Sequence, residues 1–259
     1  MSLGGAAVVL ERDLLNYRRT WRGSLIVSFI SPVLFLAAMG LGLGSLISHG
    51  QHRLVEGVPY LDYLAPGLLA ATAMQTAALE SMYPILAKMM WDKIYDSILA
   101  TPVQVREVFL GEIAWLVVRV AIVTVAFFAV MVLFSAVHSP LGLLAVPLTI
   151  LTGLAFGAPF FAYTANQRND TGFAALNRFV VIPLFLLAGT FFPIANLPLV
   201  FQVFAWVTPL AHGVALVRAA TLASPIAPLA AAVHLTVLLG YSGVGIGLGL
   251  RGFERRLGE

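Results

Sequence analysis

Six apolar runs separated by shorter polar intervals organise this sequence: residues 24–47, 61–87, 107–134, 141–165, 176–192 and 228–250. A helix needs ~20 residues to cross a hydrocarbon core of ~30 Å, so each run is read as a membrane span, the fifth a short one. Prolines and glycines interrupt several of them, notably Pro32, Pro66, Pro147 and Pro159, and the last run carries Gly240, Gly243, Gly245, Gly247 and Gly249. Both residue types are tolerated in membrane helices, where small side chains let neighbours approach closely. Residues 193–223 fit no simple span. They are mostly apolar but broken by Pro193, Pro198 and Pro209, and they hold Gln202, His212 and Arg218, which predicts a pair of short re-entrant or interfacial helices.

Two amphipathic stretches lie outside the runs. In residues 88–112, Trp91, Ile94, Tyr95, Ile98 and Leu99 recur at helical spacing, with Asp92, Lys93, Asp96 and Ser97 on the opposite face. Thr101-Pro102 ends that pattern, because a residue preceding proline is pushed out of the helical region. The expectation is a surface helix over 91–101 between the second and third spans, either a plain connector or a docking element. At the start of the chain, Leu3, Ala6, Ala7, Leu10, Leu14, Tyr17 and Trp21 repeat in the same way, and Arg12, Arg18, Arg19 and Arg22 fill much of the remaining surface. Residues 1–22 lack the pattern of a cleavable signal peptide. They predict an amphipathic interface helix with arginines toward lipid phosphates, and the spacing fits equally a helix packed on the cytoplasmic ends of the spans.

Composition fixes the class. The sequence is 60% hydrophobic and only 10% charged, with a mean hydropathy of +0.94, whereas soluble domains are roughly 25% charged. A pI near 9.4 does not signal nucleic acid, because the basic residues form no tract and sit instead at the ends of the apolar runs. With the N-terminus inside, 12 of the 15 Lys and Arg fall on the cytoplasmic side, Arg53 and Arg218 fall outside, and Arg119 lies within a span. The positive-inside rule therefore places both termini in the cytoplasm of an all-α protein with six transmembrane helices.

Little catalytic chemistry is visible. There is no cysteine, no G-x-x-x-x-G-K-[ST] phosphate loop and no H-E-x-x-H pair. His49 and His52 lie in a polar loop with no third ligand converging in sequence, and His212 and His234 are lone histidines in apolar stretches, suited to packing. Glu80 and Arg119 are the ionisable groups well inside spans. Such groups cost ~2.5–3.5 kcal/mol even on lenient insertion scales, so they face protein or water. They occupy consecutive antiparallel spans and are expected to meet, as a structural ion pair or as a polar element of a substrate path; Arg119 snorkelling to the interface is the other reading.

The runs YLDYLAPGLLAATAMQTAALES, KIYDSILATPVQVREVFLGE, RFVVIPLFLLAGTFFPIANLP and TPLAHGVALVRAATL, in that order, resemble the permease subunits of ABC-2 type exporters, in the NodJ-like branch near the daunorubicin-resistance permeases. The resemblance covers roughly residues 10–250. It implies a single transmembrane domain over 1–259 in the bacterial inner membrane and a separate ATP-binding cassette subunit carrying ATP and Mg, so that this chain needs no cofactor of its own and is not an enzyme. It also implies a second permease subunit, identical or homologous. Residues 1–22 then become the interface helix and 91–101 the coupling helix, with Trp91, Asp92, Ile94, Tyr95, Asp96, Ile98 and Leu99 as ATPase-docking residues. Many relatives carry a Glu-rich run with Gly-Thr in the coupling block, where this sequence has Asp92-Lys93-Ile94-Tyr95-Asp96. The implied function is export of an amphipathic substrate (lipid-linked sugar, lipo-oligosaccharide or hydrophobic drug), with spans one and five as lining candidates. The alternatives are an ATP-independent secondary transporter or channel, which needs midplane carboxylates of which Glu80 is the sole example, and a lipid-modifying enzyme, which needs convergent catalytic groups.

Overall fold

The computed structural model describes residues 4–43, 55–224 and 226–258, and these fold as a helical bundle. Helix α1 spans Gly4–Phe35 and continues as a π-helix over Leu36–Leu43. Helix α2 spans Tyr60–Leu86 and likewise continues as a π-wound turn, Ala87–Trp91. The short α3, Ile94–Leu99, precedes the long α4, Val105–Leu133. Helix α5, Ala145–Ala165, begins from a 3-10 turn at Pro140–Leu144, and α6 runs over Thr171–Leu187. After them come α7, Leu199–Val207, α8, Pro209–Leu222, and α9, Pro228–Leu257. The loop holding His49, His52 and Arg53 lies outside the described residues.

Helix α2 is the hub. Nearly its whole length is buried, from Tyr60 to Leu86, against α4, α5 and α8. At 1.5 Å per residue its 27 residues span ~40 Å, ample for a bilayer. Yet it is not among the helices that qualify as spans by length and apolarity, which are Gly4–Met39, Val105–Leu133, Pro140–Ala165 and Pro228–Leu257, four of them, or five if the bent pair α7–α8 counts as one. The six expected from the apolar runs therefore exceed what those two criteria support. The physical reason is visible in α2: packed largely against other helices, it carries Asp62 and Ser81 buried and Gln75 and Glu80 at a cavity, and these polar residues lower its apolarity.

Three boundaries differ from the sequence expectation. The described parts of the expected interface helix and first span, residues 4–22 and 24–43, form one continuous helix with a π-wound end, because Gly23 costs only ~1 kcal/mol and no proline or cap intervenes between them. The N-terminal part of α1 packs on α4: Val9 is buried, and a Cβ on Gly111 would strike Val9 and the Ala6 carbonyl. The fifth run begins earlier than 176, at Thr171. The basic tail with Arg251, Arg255 and Arg256 forms the last turns of α9.

The proline-broken segment behaves as its sequence suggests. Thr208 takes an extended conformation before Pro209, and α7 and α8 meet there at 81°. The glycine series of α9 divides by face: Gly245 and Gly249 press against Pro159 and Phe109, with Gly252 one turn on against Ala165, whereas Gly240, Gly243 and Gly247 face open space. Only the first set brings α9 close to α5, the kind of backbone approach that holds helices together where lipid removes the hydrophobic driving force.

Candidate functional site

Two polar tiers join α1, α2 and α4. The upper tier is the expected pair: Arg119 Nε donates to Glu80 Oε1 at 2.8 Å, and Nη1 donates to Ser24 Oγ at 2.9 Å. The guanidinium carbon also sits 4.9 Å from the Tyr17 ring centre, and Tyr17 packs edge-on to Trp115. Arg119 is thus held by a carboxylate, a hydroxyl and an aromatic face.

This tier opens into a cavity of about 630 Å³ between α1, α2 and α4, with Phe185 of α6 at its edge. Its polar residues are Ser24, Ser28, Ser31, Thr72, Gln75, Thr76, Glu80 and Arg119; Val27, Phe35, Leu68 and Phe127 supply much of the apolar wall. A second groove of about 430 Å³, lined almost wholly by apolar residues of α1, shares Val27, Ser31 and Phe35 with it. The Glu80–Arg119 pair lies in the larger cavity only, while Val27, Ser31 and Phe35 form the joint between the two. Because the Glu80 and Arg119 side chains are only 19% and 16% exposed, Glu80→Gln and Arg119→Gln should each lower the melting temperature of the purified protein. The double variant should fall short of their sum by ~0.5–3 kcal/mol of coupling, and strict additivity would show that the two charges act independently.

The lower tier was not foreseen. Lys88 Nζ donates to both oxygens of Glu112, at 2.8 and 2.7 Å, and to Asp13 Oδ2 at 3.0 Å. Arg12 closes the group, 2.5 Å from Asp13 Oδ1 and 4.0 Å from Glu112 Oε1. Glu112 is wholly buried, and Asp13 nearly so. Of the four interface-helix arginines, Arg18, Arg19 and Arg22 are exposed as expected, whereas Arg12 turns into the protein. A signal existed in the sequence, an acid and a lysine at the ends of adjoining runs, but their separation of 24 residues concealed the contact.

Directly below lies α3, and here the expected face is corrected. The π turn at Ala87–Trp91 and the left-handed Lys93 (φ 48°) break the helical phase, so Trp91 is not on the stripe of Ile94, Tyr95, Ile98 and Leu99. Tyr95 is fully buried, its ring 6.0 Å from that of Phe253, so it is not available as a docking contact. Burial and the neighbouring Glu112 carboxylate push its phenol well above the usual value, so it stays protonated, with its hydroxyl beside that carboxylate. Ile94, Ile98 and Leu99 are half-buried. What α3 and its lead-in expose is Trp91 (59%), Asp92, Lys93, Asp96 and Ser97.

The histidines expected to be lone ones meet. His212 Nδ1 and His234 Nδ1 are 2.7 Å apart, His212 Nε2 lies 2.8 Å from the Trp206 carbonyl, and the Trp206 indole stacks on His234. A carbonyl only accepts, so His212 carries its proton on Nε2 and takes the His234 Nδ1–H at its other nitrogen.

A bundle of long apolar helices with a half-polar cavity along its seam and a polar surface turn beneath it is the form of a membrane transport component. The chain belongs to the ABC-2 type transporter family, whose sequence model matches residues 6–222. It is similar to nodulation protein J of Rhizobium leguminosarum bv. viciae, 30% identical over 90% of this chain and 87% of that protein. The nodulation protein J of Sinorhizobium fredii (strain NBRC 101917 / NGR234) is 28% identical over 96% and 92%, and that of Neorhizobium galegae 27% over 90% and 86%.

Proposed function

We propose that this chain is the permease subunit of an ATP-driven exporter, paired with a second permease subunit and with an ATP-binding cassette subunit that supplies all the ATP and Mg chemistry. On this reading it crosses the bacterial inner membrane six times, α2 and α6 joining the four helices that qualify by apolarity, with both termini in the cytoplasm. The arginine distribution supports that orientation, and the burial of α2 accounts for its modest apolarity. The substrate is amphipathic, a lipid-linked sugar, lipo-oligosaccharide or hydrophobic drug. The cavity of about 630 Å³ beside a further apolar groove supports this, because it couples one ion pair to long apolar walls. Helices α1 and α6, the first and fifth of the six, both contribute to it.

The observation that carries the reading is the α3 corner. An exposed indole, Trp91, and the exposed Asp92 stand on the turn that leads into α3, and the exposed Asp96 stands on α3 itself, whose inner side is anchored to the bundle by Tyr95. A rigid support under an exposed aromatic and charged face suits docking of a separate motor, and exposed Trp side chains often dominate an interface, at ≥ 2 kcal/mol. Trp91→Ala and Asp96→Lys should therefore reduce co-purification of the ATP-binding subunit and abolish transport, while insertion and melting temperature stay unchanged. The purified chain alone should hydrolyse no ATP. Full transport by both variants with the partner still bound would reduce α3 to a connector.

A further inference from the structure

At the end of the bundle opposite α3 lies a cavity of about 330 Å³, walled by the start of α2, the turn after α6, α7 and α8. Tyr63, Gly189, Gln202, Trp206 and Arg218 line it, with Glu56 at the rim. Arg218 differs from the other interior cations. Lys88 has two carboxylates and Arg119 has one, whereas every hydrogen-bond partner of Arg218 is neutral. Its Nη2 donates to the Gly189 carbonyl at 2.8 Å and to the Tyr63 carbonyl at 3.1 Å, and its Nε reaches the same Tyr63 oxygen at 3.3 Å. The guanidinium carbon lies over the Tyr63 ring, 3.8 Å from its centre.

The surrounding backbone is shaped for this grip. Gly189 (φ +82°) turns its carbonyl to Arg218, and the Tyr63 hydroxyl lies 3.3 Å from the same oxygen. Gly67 leaves the room, since a Cβ there would meet Thr190 backbone atoms at 2.9 Å and Arg218 Nη2 at 3.3 Å. The fork is therefore fixed before any ligand arrives. Its Nη1 alone has no hydrogen-bond partner among the described residues, and no described carboxylate lies within 4.0 Å of the side chain. Beside it, the Gln202 amide is oriented by donating to the Ala195 and Leu197 carbonyls, at 3.3 and 2.8 Å, which leaves Oε1 as its acceptor toward the cavity.

We propose that this cavity is an oxyanion-binding site: a phosphate or carboxylate on a hydroxyl-bearing polar head is taken by Arg218 Nη1, and a neighbouring hydroxyl of the same head donates to Gln202 Oε1. A pre-oriented guanidinium is the side chain best suited to such a group. Glu56 at the rim repels the anion and sets its affinity. The group arrives either on an anionic lipid head or on a soluble molecule. The proposal stands independently of the motor docking at α3.

The test uses the full-length chain in nanodiscs. Glycerol 3-phosphate is titrated into phosphatidylcholine discs and followed by thermal shift, and in parallel native mass spectrometry scores retention of phosphatidylglycerol against phosphatidylcholine. Binding of glycerol 3-phosphate identifies a soluble ligand, and selective retention of phosphatidylglycerol alone identifies the lipid head; either supports the site. Glu56→Gln should tighten whichever binds by about 3-fold, and Gln202→Glu should weaken it about 10-fold, through one charge removed or added near the anion. Arg218→Lys, which keeps the charge and loses the fork, should weaken it at least about 10-fold. Glu56→Gln touches neither the Arg218 cradle nor the hydrogen bonds that hold Gln202, so a folding defect cannot mimic the tightening it should produce. Binding of neither probe, or an affinity indifferent to Glu56→Gln and Gln202→Glu, overturns the proposal.

Discussion

Lys88→Met should lower the melting temperature of the detergent-purified protein by roughly 10 °C. The substitution leaves Glu112, wholly buried, and Asp13, nearly so, with only Arg12 nearby, and that guanidinium stands 4.0 Å from Glu112. Removing one partner of a buried pair costs ~3–5 kcal/mol, because the remaining charge keeps its desolvation penalty without its attraction. At ~2–4 °C per kcal/mol for a chain of this size, the expected drop follows. Glu112→Gln should cost less, since Lys88 keeps Asp13 at 3.0 Å. The double variant Lys88→Met with Glu112→Gln should recover part of the loss, for no unpaired carboxylate then remains at Glu112. A drop of under ~1 °C for Lys88→Met would mean that water reaches this tier.

Tyr95→Ala should also be severe, and for a reason unlike that of its exposed neighbours. Tyr95 is fully buried and its ring packs near Phe253 of α9, so truncation should open a cavity at a cost of ~3–5 kcal/mol. The six-residue α3 has no other fully buried side chain to hold it. Transport should be lost together with stability. Tyr95→Phe should cost far less than Tyr95→Ala, because the ring stays in place and only the hydroxyl beside the Glu112 carboxylate is removed. Trp91→Ala, by contrast, should leave melting within ~0.5 kcal/mol of the original, as exposed substitutions generally do. Thermal melting combined with a transport assay separates these cases: anchor variants fail both, contact variants fail only the second. If Tyr95→Ala melts normally yet no longer transports, Tyr95 reaches a partner and the inward assignment is wrong.

How much of this was legible in the sequence depended on the range of the interaction. The helical class and the broken character of 193–223 follow from local apolarity and prolines. Glu80 and Arg119 were legible as a pair because charges within apolar runs are rare enough to seek each other. The seam from α1 to α2 to α4 was not, since Asp13, Lys88 and Glu112 lie near run ends, where a charge needs no explanation. The face of α3 was misassigned because helical periodicity assumes an unbroken helix. A π turn followed by a left-handed lysine resets the phase, and lysine at Lys93 gives no warning of the kind a glycine would. Likewise, the arginines before residue 24 mark where a membrane surface would lie, and a helix can cross such a surface without ending there. His212 and His234, 22 residues apart on different helices, meet only through the tertiary fold.

That last continuity has a mechanical meaning. Helix α1 is an unbroken rod of 32 residues, ~48 Å long at 1.5 Å per residue, clamped near one end by Asp13 and near its middle by Ser24, with Phe35 at the cavity wall. A tilt of ~5° about its N-terminal end carries Phe35 through ~4 Å, about one side-chain width, with no change in the rod itself. Loosening the Lys88 clamp therefore frees a rod whose far end forms one side of the cavity, so that a small tilt near Asp13 becomes a larger displacement of the wall.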